Sequence, residues 1–505
     1  MRMTAMLAAA LAAATLLGAC AREAAAPADE APATRRFGQI GFEPCSLRGT
    51  SGGNATPAYC ARHEVAEDPA AGGGRRIALN VAWLPATSQG GGSEDPVFFL
   101  AGGPGQAATE HAATVVAALA DVRKTRDIVL VDQRGTGQSN ALACLQADGE
   151  PMQLEQAAPS AEDYARFARA CAQTLADRAD PRLYTTTEAV ADLEAVRAAL
   201  QVEKINLIGV SYGTRVAQQY AARHPQHVRT MVLDGVAPND LVVGGEFAST
   251  LEDALALQSA HCARLPECRA RFGSDMRVQL RQVIARLKAA PVEVDFRDPA
   301  TGQAKRDEAT EHTVAGLAFA FSYAPQTASL LPLMLDEAAN GRYGPLMSLS
   351  QMMAGEMAGQ MTQGMQWSVI CAEDAPRYRA RPGAEDTVLG EELATMFFAP
   401  CQSWPTGTAP ANFHAPLQSS LPVLLLSGEI DPVTPPRYAE RVLQGLSNGR
   451  HFMLPGQGHN VLGVGCMPKL IGQFLETADP TALKAECLDT VTYVPPFVSF
   501  NGWAP

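Results

Sequence analysis

The stretch Ile205 to Thr214, INLIGVSYGT, constrains the fold more than any other. Ile205 to Val210 is short and almost wholly apolar, as a strand buried on both faces is. Thr214 to Arg223 then reads as a helix. Only the turn Gly209-x-Ser211-x-Gly213 lies between them. So sharp a strand-to-helix turn holds the serine in a strained backbone conformation, and a side chain at either flanking position would clash. A glycine-rich surface turn is the plain alternative, but the strand before and the helix after argue for the strained one.

The same rhythm recurs along the chain. Val97 to Ala101, Asp127 to Asp132 and Thr230 to Asp234 are further short apolar runs. Helix-length segments lie between them: Ala107 to Ala120, Ala161 to Leu175 and Glu188 to Leu200. Arg76 to Leu84 alternates at period two and reads as an early antiparallel strand. Strands alternating with helices predict a parallel sheet covered on both sides. From about Asp240 to Ala415 the strand rhythm disappears, and helix-like segments such as Phe247 to Ala260, Asp275 to Ala289 and Thr313 to Phe321 replace it. Leu346 to Met365 within it is Met-rich. Pro422 to Ser427 and His451 to Leu454 then resume the strands. The expected architecture is α/β: a mostly parallel central sheet flanked by helices, with an inserted, mostly helical cap. The expected division is a signal at 1–19, a tether at 20–36, core at 37–240, cap at 241–415 and core again at 416–505.

A serine becomes nucleophilic when a base takes its proton and an acid orients that base. Asp431 lies in LLLSGEIDPVTP, just beyond a buried strand, where ligand-facing loops emerge. Glu429 is the competing acid; Asp431, held against Pro432, is in the more constrained loop. Thr434 is placed to bond near the carboxylate. Of nine histidines, His459 follows the last strand in a glycine-rich loop, PGQGHN, and is the expected base. His224 and His227 follow the Ser211 helix and read as solvated. A developing oxyanion needs at least two aimed N–H donors. The backbone N–H of Tyr212 is one; Gly103 in LAGGPG is the favoured second, with Gly102 as the alternative. No GxGxxG or Walker pattern marks that loop as phosphate-binding.

GGPG at Gly102 to Gly105, DQRGTGQS at Asp132 to Ser139, GVSYGT at Gly209 to Thr214, SGEIDPVTP at Ser427 to Pro435 and GQGHNVL at Gly456 to Leu462 occur in this order. Together they resemble the proline iminopeptidase and tripeptidyl aminopeptidase branch of the α/β-hydrolase serine peptidases. Cys371-Ala-Glu-Asp374 with Cys401-Gln-Ser-Trp404 resembles the exported, tripeptidyl-aminopeptidase-like members. The resemblance spans about Gly41 to Cys487. It implies the α/β-hydrolase fold, with Ser211 as nucleophile, His459 as base and Asp431 as orienting acid. It also implies release of single residues or short peptides from free N-termini, with no metal or cofactor. Many cytosolic iminopeptidases have His before GGPG; this chain has Ala101 there, so the proline preference transfers less directly. An aminopeptidase also needs a carboxylate for the substrate ammonium. Glu373 and Asp374 are the candidates near the family motif, and Glu246 and Glu252 are others.

The same triad cleaves esters, so a carboxylesterase or lipase is the second reading. A surface-anchored binding protein on an idle hydrolase scaffold is the third. The charge balance, 40 basic against 53 acidic residues, argues against nucleic-acid binding, which needs clustered cations.

Eleven cysteines is an odd number. MRMTAMLAAALAAATLLGAC has a short start with Arg2, an apolar run from Met6 to Leu17, and then Gly18-Ala19-Cys20. That run has the shape of a secretory signal, and Leu17 to Cys20 resembles a bacterial lipobox. Cys20 is then the lipidation point, which anchors the chain to a lipid bilayer with the catalytic domain on the periplasmic or extracellular side. Ala21 to Thr34 reads as the tether. Ten cysteines remain, and pairing sequence neighbours gives Cys45–Cys60, Cys144–Cys171, Cys262–Cys268, Cys371–Cys401 and Cys466–Cys487.

Overall fold

A computed structural model describes residues 34–502, apart from 50–51, 72, 89–91, 93, 155–158 and 358–359. The signal, Cys20 and the tether up to residue 33 lie outside the described residues. Twelve strands form among those described: β1 (Arg35–Phe37), β2 (Ile40–Gly49), β3 (Gly52–Ala66), β4 (Arg76–Leu84), β5 (Val97–Leu100), β6 (Ile128–Val131), β7 (Ile205–Val210), β8 (Val228–Asp234), β9 (Val292–Arg297), β10 (Ala304–Ala309), β11 (Val423–Gly428) and β12 (Gly449–Leu454). Ten of them make one sheet in the order β1-β2-β3-β4-β6-β5-β7-β8-β11-β12. The run β6-β5-β7-β8-β11-β12 is parallel throughout. β1 to β4 add on antiparallel.

The parallel strands are buried on both faces because alternate residues feed two separate cores. Phe98, Leu100, Val129, Val131, Leu207 and Leu233 enter one. Val97, Phe99, Ile128, Leu130, Ile208 and Val232 enter the other. Helices Ala161–Leu175, Thr186–Ala199 and Tyr212–Arg223 cover the first, and Met467–Thr477 helps cover the second. The chain leaves the sheet after β8 and returns at β11, as the strand rhythm implies. The intervening helices have a core of their own, from Leu251 through Phe321 to Leu389. Met365, Trp367, Cys371 and Trp404, later in the same insertion, pack instead with the sheet.

Three differences from the sequence reading stand out. β2 and β3 form a long antiparallel pair. Most of their residues are exposed or half-buried and polar or small residues interrupt the apolar ones, so they lack the apolar runs that mark the inner strands. β1 takes in Arg35 and Arg36, the last residues assigned to the tether. The insertion holds a hairpin, β9 with β10. β10 is AKRDEA, and its single buried residue, Ala309, gives no apolar signal. The ten cysteines form five disulfides, each between neighbours in sequence: Cys45–Cys60, Cys144–Cys171, Cys262–Cys268, Cys371–Cys401 and Cys466–Cys487. Among the described residues no helix is long and apolar enough to cross a membrane.

Candidate active site

Ser211 has φ +55° and ψ −123°, a strained combination for a residue with a side chain. The turn survives because its flanks are glycines. A Cβ at Gly213 would lie 2.1 Å from the Leu100 carbonyl oxygen, and one at Gly209 would lie 2.4 Å from that of Gly213. The Ser211 N–H donates to the Asp234 carbonyl at 2.8 Å, and the Thr214 hydroxyl donates to the Ser211 carbonyl at 2.6 Å. Tyr212 opens the helix, so its N–H has no acceptor within it. The Tyr212 hydroxyl is pinned by Thr186 Oγ1 at 2.6 Å and by Gln133 Nε2 at 3.2 Å. The glycine loop after β5 lies against this turn: a Cβ at Gly102 would meet Ser211 Cβ at 3.1 Å. Gly103 is one residue further and faces the cap, where Met361 Cε lies 3.3 Å from its Cβ position.

Asp431 is buried in the loop after β11. Its Oδ1 accepts from the Val433 and Thr434 N–H groups, each at 2.8 Å. Its Oδ2 accepts from the Thr434 hydroxyl at 2.8 Å and pairs with His459 Nδ1 at 2.7 Å. Glu429 is engaged elsewhere and accepts from the Gly456 N–H at 2.9 Å. The Asp431 carboxyl is buried, which opposes ionisation, yet His459 and the loop donors hold it below its ordinary value. Burial alone would lower the His459 pKa; Asp431, with a smaller contribution from Asp234, raises it above 6.5. Together these set a carboxylate that stays ionised beside an imidazole able to take a proton.

Tyr323 of the cap completes the surroundings of the imidazole. Its ring meets that of His459 edge-on at 5.4 Å, and its carbonyl accepts the His459 backbone N–H at 2.7 Å. A Cβ at Gly458 would lie 2.1 Å from the same carbonyl, so only glycine lets the cap approach so closely. Across the cleft, the Thr362 N–H donates to the Gly105 carbonyl at 2.9 Å. Cap residues thus touch both the base and the glycine loop. Sequence reading missed Tyr323, Met361 and Asp234. Tyr323 and Met361 come from a segment without strand rhythm, and Asp234 looks like the end of any buried strand.

These elements match two family models. One, described as "alpha/beta hydrolase fold", matches residues 95–259; another, described as "TAP-like protein", matches residues 386–487. The chain has the α/β-hydrolase fold. This hydrolase is 26% identical over 460 residues to the serine protease Hip1 of Mycobacterium tuberculosis, covering 85% of this chain and 87% of that one. It is 31% identical over 192 residues to the tripeptidyl aminopeptidase of Streptomyces lividans, covering 36% and 35%. It is 32% identical over 141 residues to the proline iminopeptidase of Neisseria gonorrhoeae, covering 28% and 32%.

Two expectations of the sequence reading require correction. Glu373 and Asp374 are not open to a substrate ammonium. Asp374 is 0% exposed and holds Arg215 Nη1 through both oxygens at 3.1 Å. Glu373 is 1% exposed and accepts from the Thr186 N–H at 2.7 Å and its hydroxyl at 2.9 Å. Burial pushes the Glu373 carboxyl up to about 8. Both carboxylates therefore brace the helix after Ser211 from below. Glu246 and Glu252 are tied to Arg381 and Arg281, each at 2.7 Å. The second correction concerns His224 and His227, which are half-buried beside Glu194, with ligand-type atoms within 4.8 Å of one another. Arg197 donates to that carboxylate at 2.6 and 2.9 Å and the Tyr220 hydroxyl donates to it at 2.7 Å, and against burial these bring it down to about 2. The cluster is an ion-pair network whose acid is already occupied.

Proposed function

We propose that this hydrolase is an exported aminopeptidase that releases single residues or short peptides from free N-termini. The observation that carries the reading is the 2.7 Å Asp431–His459 pair, set in the loops beside a strained Ser211 turn. Ser211 attacks the substrate carbonyl while His459 takes its proton and passes it to the leaving amine. Asp431 fixes the tautomer, with Nδ1–H toward the carboxylate, and stabilises the imidazolium. The Tyr212 N–H and the glycine loop, through Gly103, hold the oxyanion. Water then hydrolyses the acyl-enzyme by the same proton path in reverse.

The names of the relatives support a peptidase, and two of the three support action at N-termini. A cap in contact with both base and glycine loop favours short substrates over folded proteins. Five disulfides support an oxidising compartment, and lipidation at Cys20 would tether the enzyme to a membrane there.

The test is a panel of aminoacyl and peptidyl amides, with free and blocked N-termini, beside short-chain esters. Cleavage of the free amides, absent in Ser211→Ala, supports the reading. Cleavage of blocked amides alone removes the aminopeptidase assignment, and cleavage of esters alone makes the enzyme an esterase. Failure of wild-type protein to react with a fluorophosphonate would leave only the binding-protein reading.

A further inference from the structure

Four adjacent strands build the site in the order β7-β8-β11-β12. Ser211 follows β7, Asp431 follows β11 and His459 follows β12. β8 lies between the strand of the nucleophile and that of the acid, and it supplies none of the three. Its last residue, Asp234, pairs in register with Val210 on one side and Leu426 on the other. Asp234 is 0% exposed.

Both ends of this residue are used. Its carbonyl accepts the Ser211 N–H at 2.8 Å. Its carboxylate accepts the Val461 N–H at 2.8 and 3.0 Å and the Leu462 N–H at 2.9 Å. These two donors directly follow His459 and Asn460, and Asn460 has φ +70°. The following residue, Gly235, has φ +65°, and a Cβ there would lie 3.0 Å from His459 Cε1. The imidazole therefore rests against the turn that Asp234 begins.

We propose that Asp234 is a positioning residue, whose main chain holds the Ser211 turn while its carboxylate holds the His459 loop, so that one residue sets nucleophile against base. The inference rests on the Ser211–Asp431–His459 reading of the site. A carboxylate suits the task because two buried N–H groups converge on it and both need an acceptor. Both donors reach Oδ2 and Val461 also reaches Oδ1, so an amide with its oxygen in the Oδ2 place turns an NH2 toward the Val461 N–H and carries no charge. The ionisable groups facing His459 are Asp431, Asp234 and the Tyr323 phenol. Burial pushes the Asp234 carboxyl up to about 7, against its backbone donors, and its charge favours imidazolium on His459. Loss of that charge lowers the His459 pKa even where the Asp431–His459 pair stays intact.

The experiment compares wild type, Asp234→Asn and Ser211→Ala in fluorophosphonate labelling across pH, using the whole protein. Asp234→Asn is expected to label with a maximal rate lower by on the order of 10- to 100-fold, with little change in the half-saturating concentration. Its acid limb is expected to move to lower pH. Wild-type rate and an unmoved limb in the folded variant overturn the inference. So does a rate loss with the limb unmoved, since damage to the fold would give the same. Histidine-labelled wild type provides a second measurement that does not depend on the variant folding. The His459 resonance is expected to respond to the ionisation of Asp234 as well as to its own, and a resonance untouched by Asp234 overturns the inference. No labelling of wild type would instead refute the triad reading itself.

Discussion

Asp374→Ala separates a carboxylate that braces the fold from one that binds substrate. Asp374 and Arg215 are both 0% exposed, and two contacts of 3.1 Å join them. Removing one partner of such a pair leaves the other charge buried, at a cost of about 3–5 kcal/mol. Two features place this case at the lower end. Arg215 Nη2 keeps its bond to the Leu241 carbonyl at 2.5 Å, and Glu373 Oε2 remains 3.9 Å from Nη1. The expected loss is therefore about 3 kcal/mol. Urea denaturation of wild type and variant measures it, beside KM for one amide with a free and one with a blocked N-terminus. The ratio of the two KM values should match wild type, because the carboxylate faces Arg215 and not the cleft. Wild-type stability with a KM rise confined to the free-amine substrate would refute this reasoning and restore Asp374 as an ammonium site.

Other outcomes follow from the same geometry. His459 accepts a proton only when neutral, and its pKa is raised, so kcat/KM should fall as pH drops through a limb lying above 6.5; Asp431, held below its ordinary value, stays ionised throughout. A limb at or below 6.5 would contradict the assigned surroundings. Gly213→Ala places a Cβ 2.1 Å from the Leu100 carbonyl, so it should cost at least about 1–3 kcal/mol and abolish fluorophosphonate labelling; a stable, reactive variant would show that the turn has another shape. Replacing Cys466 and Cys487 by Ala opens a closure of 21 residues just after the His459 loop, and should cost about 2–4 kcal/mol in urea denaturation.

Much of the site was legible because its chemistry is local in sequence. The Ser211 turn is written in two glycines between a buried strand and a helix. Asp431 follows the nearly all-apolar run Val423 to Leu426, and His459 follows a strand that ends in Phe452-Met453-Leu454. Pairing of the cysteines between sequence neighbours was the expectation, but sequence alone leaves the connectivity open, and the fold decided it. β2, β3 and β10 were not legible, because strands with an exposed face and polar residues resemble loops. The misreading of Glu373 and Asp374 has the opposite cause. Two adjacent carboxylates near a family motif look available, and nothing local reveals that Arg215 and Thr186, more than 150 residues away, already hold them.

By itself the sequence determined the alternation of buried strands and helices, and hence a doubly covered parallel sheet with Ser211, Asp431 and His459 in the loops after three of its strands. Those are consequences of apolar periodicity and of where glycine is tolerated. Only the tertiary structure decided which carboxylates are free and which are already held by buried partners. It also decided what the cap touches and that Asp234 joins the Ser211 turn to the His459 loop. Such matters depend on distance and burial among residues far apart in the chain. A carboxylate's charge, partner and exposure are properties of its surroundings, and only folding supplies them.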